Sequence, residues 1–288
     1  MAIKSVKNGT RSTSMLVGNP FYNPVPPTVE YLVLAGGGSA GRYDGTSTYS
    51  VGGGGAGGLR TASGFAVTAG TPLTITVGGG GAFPSSGTYV MGGNGSASAF
   101  SSISTVGGGG GAATTSGGLG RAGASGGSGG GAAARADNNT GSYSGGSATS
   151  GEGNVGGNSS ATSDGSGGGG GGAGGAGANG TGGPSGSGAI GGAAFASSIS
   201  GSSLYYAGGG GGASSNPATQ SGTGGTGYNN IANRGMGGHP LNSGGSGVVV
   251  IRYSDTYILA SATTGSPTIT TSGGYRIYQY TGSGSITF

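Results

Sequence analysis

The chain has 288 residues, of which 82 are glycine, 10 proline and none cysteine, and its formal charge is +4. The absence of cysteine excludes disulfides and thiolate metal sites, and no Gly-X-Y period supports a collagen helix. Charged residues are only 6% of the chain, which is poor in charge for a solvated disordered segment and too thin for a nucleic-acid surface.

Residues 1–28 have ordinary composition and end in a proline-rich stretch, Pro20, Pro24, Pro26 and Pro27. Proline fixes φ and disfavours helix before it, so this part reads as an extended arm and linker. Lys4, Lys7 and Arg11 precede the first acid, Glu30. They are the candidate docking residues of that arm, against the plainer reading of a solvated basic tail. No long apolar stretch opens the chain, so no secretory signal is expected, and apolar runs such as 248–251 fall far short of a membrane span.

The glycine-rich part, 29–253, alternates glycine blocks with short Ser/Thr/Asn/Ala/Tyr segments; examples are 52–55, 78–81, 107–111, 126–131, 167–172 and 208–212. Ordering glycine is entropically costly, and few large apolar side chains are present to offset it. Backbone hydrogen bonds, close backbone packing and association with other copies must compensate. Successive glycines suit the polyproline-II conformation, a left-handed helix with about 3 residues per turn and a rise of about 3.1 Å. That helix makes no internal hydrogen bonds, so its N–H and C=O groups must find partners on neighbouring rods. A side chain would block the approach. The expectation is a packed bundle of short polyglycine-II rods.

Strand signals flank the blocks at 29–35 (VEYLVLA), 72–77 (PLTITV) and 248–253 (VVVIRY), and are expected to form a small sheet at one end of the glycine body. An internal echo joins 98–105 (SAFSSIST) to 194–200 (AFASSIS), each followed by a GGGGGA run. These read as paired extended elements capping the bundle, with 202–206 (SSLYY) as a loop. Residues 254–288 leave the glycine regime. Residues 275–280 (YRIYQY) and 285–288 (SITF) read as a hairpin around 281–284, with 267–271 (PTITT) as a further strand. No segment has a helical period. The fold class is therefore all-β/irregular with essentially no α-helix: an arm (1–28), a glycine-rich polyglycine-II domain with flanking strands (29–253) and a small C-terminal β-hairpin module (254–288).

The segments 29–38 (VEYLVLAGGG), 52–59 (GGGGAGGL), 67–81 (VTAGTPLTITVGGGG) and 245–253 (GSGVVVIRY) resemble the glycine-rich domain of bacteriophage structural proteins, which include tail-fibre and adhesin components. Residues 270–288 resemble a segment that usually precedes the VEYLVLAGGG-type strand in that family, and here they follow it in a permuted order. The chain is also similar in style to the tip adhesins of T-even-type phages, whose packed glycine helices carry variable receptor-binding loops. Those loops do not align, so no individual binding residue carries over.

Catalysis is poorly supported. The single histidine, His239, and the six acids, Glu30, Asp44, Asp137, Glu152, Asp164 and Asp255, show no motif spacing for a metal site or an acid/base pair. Gly-x-Gly-x-x-Gly recurs by composition without a following helix. Neither an enzyme activity, a cofactor, a metal nor a nucleic acid is expected. Tyr43, Tyr49, Tyr89, Tyr143, Tyr205, Tyr206 and Tyr228 fall between glycine blocks. A glycine bundle has little room for a phenol, so these are the candidate surface or interface contacts. The functional expectation is a virion or extracellular fibre/adhesin subunit. It forms homotrimers or a higher assembly, docks on a virion protein through its arm, and meets a host receptor or glycan without membrane insertion. The alternative is an architectural subunit, a capsid decoration or filament, with no receptor role.

Overall fold

The computed structural model describes residues 24–42, 50–86, 89–114, 119–135, 141–160, 165–182, 187–214, 223–227 and 232–288. Among them there is no helix; the elements are twelve strands and a body of extended glycine segments.

Two five-stranded antiparallel sheets pack face to face. The first has the order β10 (Thr268–Ser272), β11 (Tyr275–Tyr280), β8 (Val248–Ser254), β1 (Thr28–Leu34), β2 (Leu59–Ala66). The second has the order β5 (Ile103–Thr105), β4 (Ser98–Phe100), β3 (Pro72–Thr76), β12 (Gly284–Thr287), β9 (Ala262–Thr264). Period-two alternation sorts the side chains. Val29, Tyr31, Val33, Val249, Ile251, Tyr253, Tyr278 and Tyr280 face the inter-sheet core with Ile75, Phe100 and Ile286. On the other face, Leu32, Leu34, Val248, Val250 and Ile277 meet Ile199 and Tyr206. The latter come from a small hairpin, β6 (Phe195–Ser197) with β7 (Leu204–Tyr206), and the turn that joins them. Strands β1 and β8 are covered on both faces, which is why VEYLVL and VVVIRY read as nearly continuous apolar runs.

Beyond Leu34 the chain enters the glycine body, whose hydrogen bonding repeats every third residue. In residues 52–57, Gly52 and Gly55 donate N–H to Ala112 and Gly109, Gly53 and Ala56 to Gly168 and Gly171, and Gly54 and Gly57 to Gly238 and Gly235, at 2.8–3.1 Å. The carbonyls of Gly52 and Gly55 accept from Gly41 and Gly38, those of Gly53 and Ala56 from Gly131 and Ser128, and that of Gly54 from Gly210. Three neighbouring segments thus accept from this rod and three donate to it. That is the hexagonal surround of a threefold extended helix. A Cβ at Gly54 would fall on the carbonyl oxygen of Gly38, so the central rod is glycine because only a bare backbone lets neighbours come within hydrogen-bond reach. Buried serines extend this logic: Ser39 Oγ donates to Ala82 O at 2.9 Å and accepts from Gly93 N–H at 2.8 Å.

Three expectations need correction. The 29–35, 72–77 and 248–253 strands form, but β3 lies in the second sheet while β1 pairs directly with β8. Residues 204–206 are strand β7, not loop, because β6 offers them a partner. The anticipated hairpin between 275–280 and 285–288 does not exist: β11 pairs with β8 and β10, and β12 with β3 and β9. The real hairpin is β10–β11, turned by Gly273 (φ 57°) and Gly274 (φ 81°), the two positive-φ positions of a type I′ turn.

Candidate functional site

The rods run away from the sandwich and return to it, so the body has a sandwich end and a remote end. At the remote end, short bridges tie neighbouring rods together: Val51 to Ala113 and Ala213, Ser160 to Ser166, Ser166 to Ser214, and Arg42 to Val90. Val51, Ala113 and Ala213 also make a small apolar plug there. Each of the segments 43–49, 115–118, 161–164 and 215–222 is flanked on at least one side by one of these bridged residues or its neighbour: Arg42, Thr114, Ser160 and Ser214. Residue 24 lies at the opposite end, where Pro24 O accepts from Ile258 N–H at 3.3 Å.

Arg42 sits at the remote end with its Nη1 donating to Pro84 O at 3.0 Å and its guanidinium 5.7 Å from the Phe83 ring centre. Close by, Tyr89 is half-buried and takes a positive φ of 65°. Leu241, in the His239–Asn242 turn, does the same at 70° and is 63% exposed. Tyr143 is half-buried on a rod near the same end, with its ring lying on Gly120.

The other anticipated contacts do not join them. Tyr205 is exposed on β7 at the sandwich end and covers Gly227. Tyr206 overturns the surface expectation. It is 2% exposed, packs under the first sheet, and its hydroxyl donates to Ser200 Oγ at 3.1 Å. A phenol finds room here because the sheet, unlike the rods, carries large side chains. Tyr43, Tyr49, Tyr228, Lys4, Lys7 and Arg11 lie outside the described residues.

At the sandwich end, an open cleft of about 220 Å³ lies beside Thr28, Ser63 and Tyr257. Its centre is an ion pair, Arg252 Nη2 to Glu30 Oε2 at 2.7 Å, with Arg252 Nε on the same oxygen at 2.7 Å. The guanidinium stacks 4.3 Å from the Tyr275 ring centre and also donates to Ser198 O. With its donors engaged in this way, the arginine serves to join β1, β8 and β11. In the sequence the pair shows only as one acid in VEYLVLA and one base in VVVIRY; the β1–β8 register sets them face to face. No sequence signal marked Glu152, which is 4% exposed, accepts from Val106 N–H at 2.8 Å and pairs with Arg60 Nε at 3.2 Å. Its carboxylate fastens the rods to the start of β2.

Burial drives the Tyr253 and Tyr280 hydroxyls far above the ordinary phenol range, and at Tyr253 the hydroxyl of Tyr278, 3.0 Å away, adds to the effect. Both hydroxyls therefore stay protonated across the ordinary pH range. Among the described residues no three His, Cys, Asp or Glu side chains converge to hold a metal ion, and no helix is long and apolar enough to cross a membrane.

Neither a curated protein nor a solved structure matches the chain. A family model described as a glycine-rich domain matches residues 21–254, from just before β1 to the end of β8 with all the rods between. The chain belongs to this glycine-rich domain family.

Proposed function

We propose that the chain is a non-enzymatic structural subunit of a bacteriophage virion, a fibre or adhesin component that presents the remote end of its glycine body to a host surface. One observation carries the reading: the rod termini are gathered and bridged at one end while residue 24 lies at the other. A polypeptide arranged in this way can be held at its N-terminal side and offer many connections at once at its far side. The rods act as a stiff platform, and recognition resides in short connections that can vary without disturbing the backbone lattice. In this reading the arm residues Lys4, Lys7 and Arg11 dock on a virion protein. Attachment is amplified by copy number, because linked weak contacts give firm binding.

The test is electron microscopy of virions labelled at residue 1 and at the remote end, joined to a cell-adsorption assay with the purified chain. The reading expects the residue 1 label against the particle, the remote-end label outward, and competition by free protein for adsorption. A continuous polymer with both ends buried between subunits, and no competition, makes the protein an architectural filament instead.

A further inference from the structure

The two sheets have four edge strands, and three are defended against pairing with another chain. β5 and β9 are three residues each. β2 carries Arg60 and a bulge in which the register slips opposite Glu30, with Gly64 at φ 83°. Short strands, edge charges and bulges are the usual devices that stop edge-to-edge association. β10 has none of them. It is five residues long, TITTS, exposed at every position, and in unbroken register with β11. No charged residue occurs anywhere from Thr256 to Tyr275. Among the described residues β11 is its sole strand partner, so its outward row of backbone groups is open. Ile269, on the face shared with Tyr278, is 47% exposed at the mouth of the sandwich.

The sequence of this edge is complementary to itself. If two copies of β10 are laid antiparallel about Thr270, Thr270 faces Thr270 of the second copy, Ile269 faces Thr271, and Thr268 faces Ser272. Thr–Thr and Thr–Ser pairs are favourable cross-strand neighbours, and Ile269 gains cover from a β-branched methyl. No charge opposes a charge. We propose that β10 is a docking edge for β10 of a second copy of this chain, joining the first sheets of two molecules into one continuous antiparallel sheet across a twofold axis. Such an isologous contact closes on itself. Five residues a side is small beside the roughly 20–30 of a stable interface, so the pair is weak and depends on concentration. The contact makes dimers, not the trimers that composition suggested, and it stands independently of the virion reading.

The test uses the full chain. Sedimentation velocity over a concentration series is expected to show a monomer–dimer equilibrium, and Ile269→Lys is expected to raise the midpoint concentration at least tenfold while leaving the melting temperature unchanged. Because the chain has no cysteine, Thr270→Cys introduces a single thiol. Under mild oxidation it is expected to give a covalent dimer far faster than Thr74→Cys, a control on the exposed face of β3. A monomer at all concentrations, a trimer indifferent to Ile269→Lys, or equal cross-linking at the two cysteines overturns the proposal.

Discussion

Glycine acts in this protein chiefly by what it lacks. At Gly54 the position of a Cβ is already occupied by the Gly38 carbonyl oxygen and the Gly238 nitrogen, whereas at Gly79 it would meet nothing within 4 Å. Composition cannot tell these two apart. We expect Gly54→Ala to break the hydrogen bonds around the central rod and cost more than about 4 kcal/mol, at the exceptional end for a point substitution. Gly79→Ala should be neutral or stabilise by up to about 1 kcal/mol through the unfolded chain; urea unfolding of the pair measures the contrast. Met236 is another residue whose role only the fold reveals. It is fully buried among glycine rods and its Sδ accepts the Gly208 N–H at 3.1 Å. Met236→Leu keeps the bulk but orphans that donor. The expected loss is about 1–3 kcal/mol, read from the denaturant midpoint, and a fully tolerant variant would show that the sulfur only fills space.

Elements form here where a partner is waiting. The segments 29–35 and 248–253 were legible as strands because β-branched and aromatic residues run together between glycines, and β1 and β8 occupy those places. The echoed segments 98–105 and 194–200 were legible as extended pieces, but they do not pair with each other: each belongs to its own hairpin, β4–β5 and β6–β7, and β7 comes from the stretch read as a loop. The pairing of 275–288 was not legible. A Thr-Gly-Ser-Gly stretch between two strand signals looks like a hairpin turn, yet β11 finds a longer and more apolar partner in β8. Pairing is indifferent to chain order, which is how a segment that follows the glycine body can lie beside a strand of the matched domain. Glu152 illustrates the joint between element types. It bonds the Val106 N–H at the start of one rod and the Arg60 side chain on β2. Glu152→Ala should destabilise by about 1–3 kcal/mol by leaving that N–H without its acceptor. Hydrogen exchange at Val106 is expected to quicken relative to the sandwich core; unchanged exchange would place the rod–sheet joint elsewhere.

At the scale of the molecule, a sandwich with an ordinary apolar core is joined to a body held by backbone hydrogen bonds. The two parts should respond differently to solvent. Tyr253 and Tyr280 hold their protons in the folded state above the ordinary phenol value of 10.0 because burial disfavours the phenolate. The unfolded chain ionises first as pH rises, so their contribution is intact below about pH 10 and is lost above it. Chemical denaturation is expected to give a flat stability up to about that pH and a fall beyond, with Tyr280→Phe making the fall shallower; an equal slope in the variant would assign the alkaline loss to other groups. The sequence by itself determined the class of the molecule: glycine blocks admit threefold rods, and runs of β-formers between glycines mark strands. Only the tertiary structure decided which strands share a sheet, which tyrosine is covered, and which glycines cannot be replaced. The reason is physical. Local conformation follows from the residues' own sterics, while pairing and close approach depend on groups far apart in the chain, and one glycine in a run looks like the next until its neighbour's carbonyl is in place.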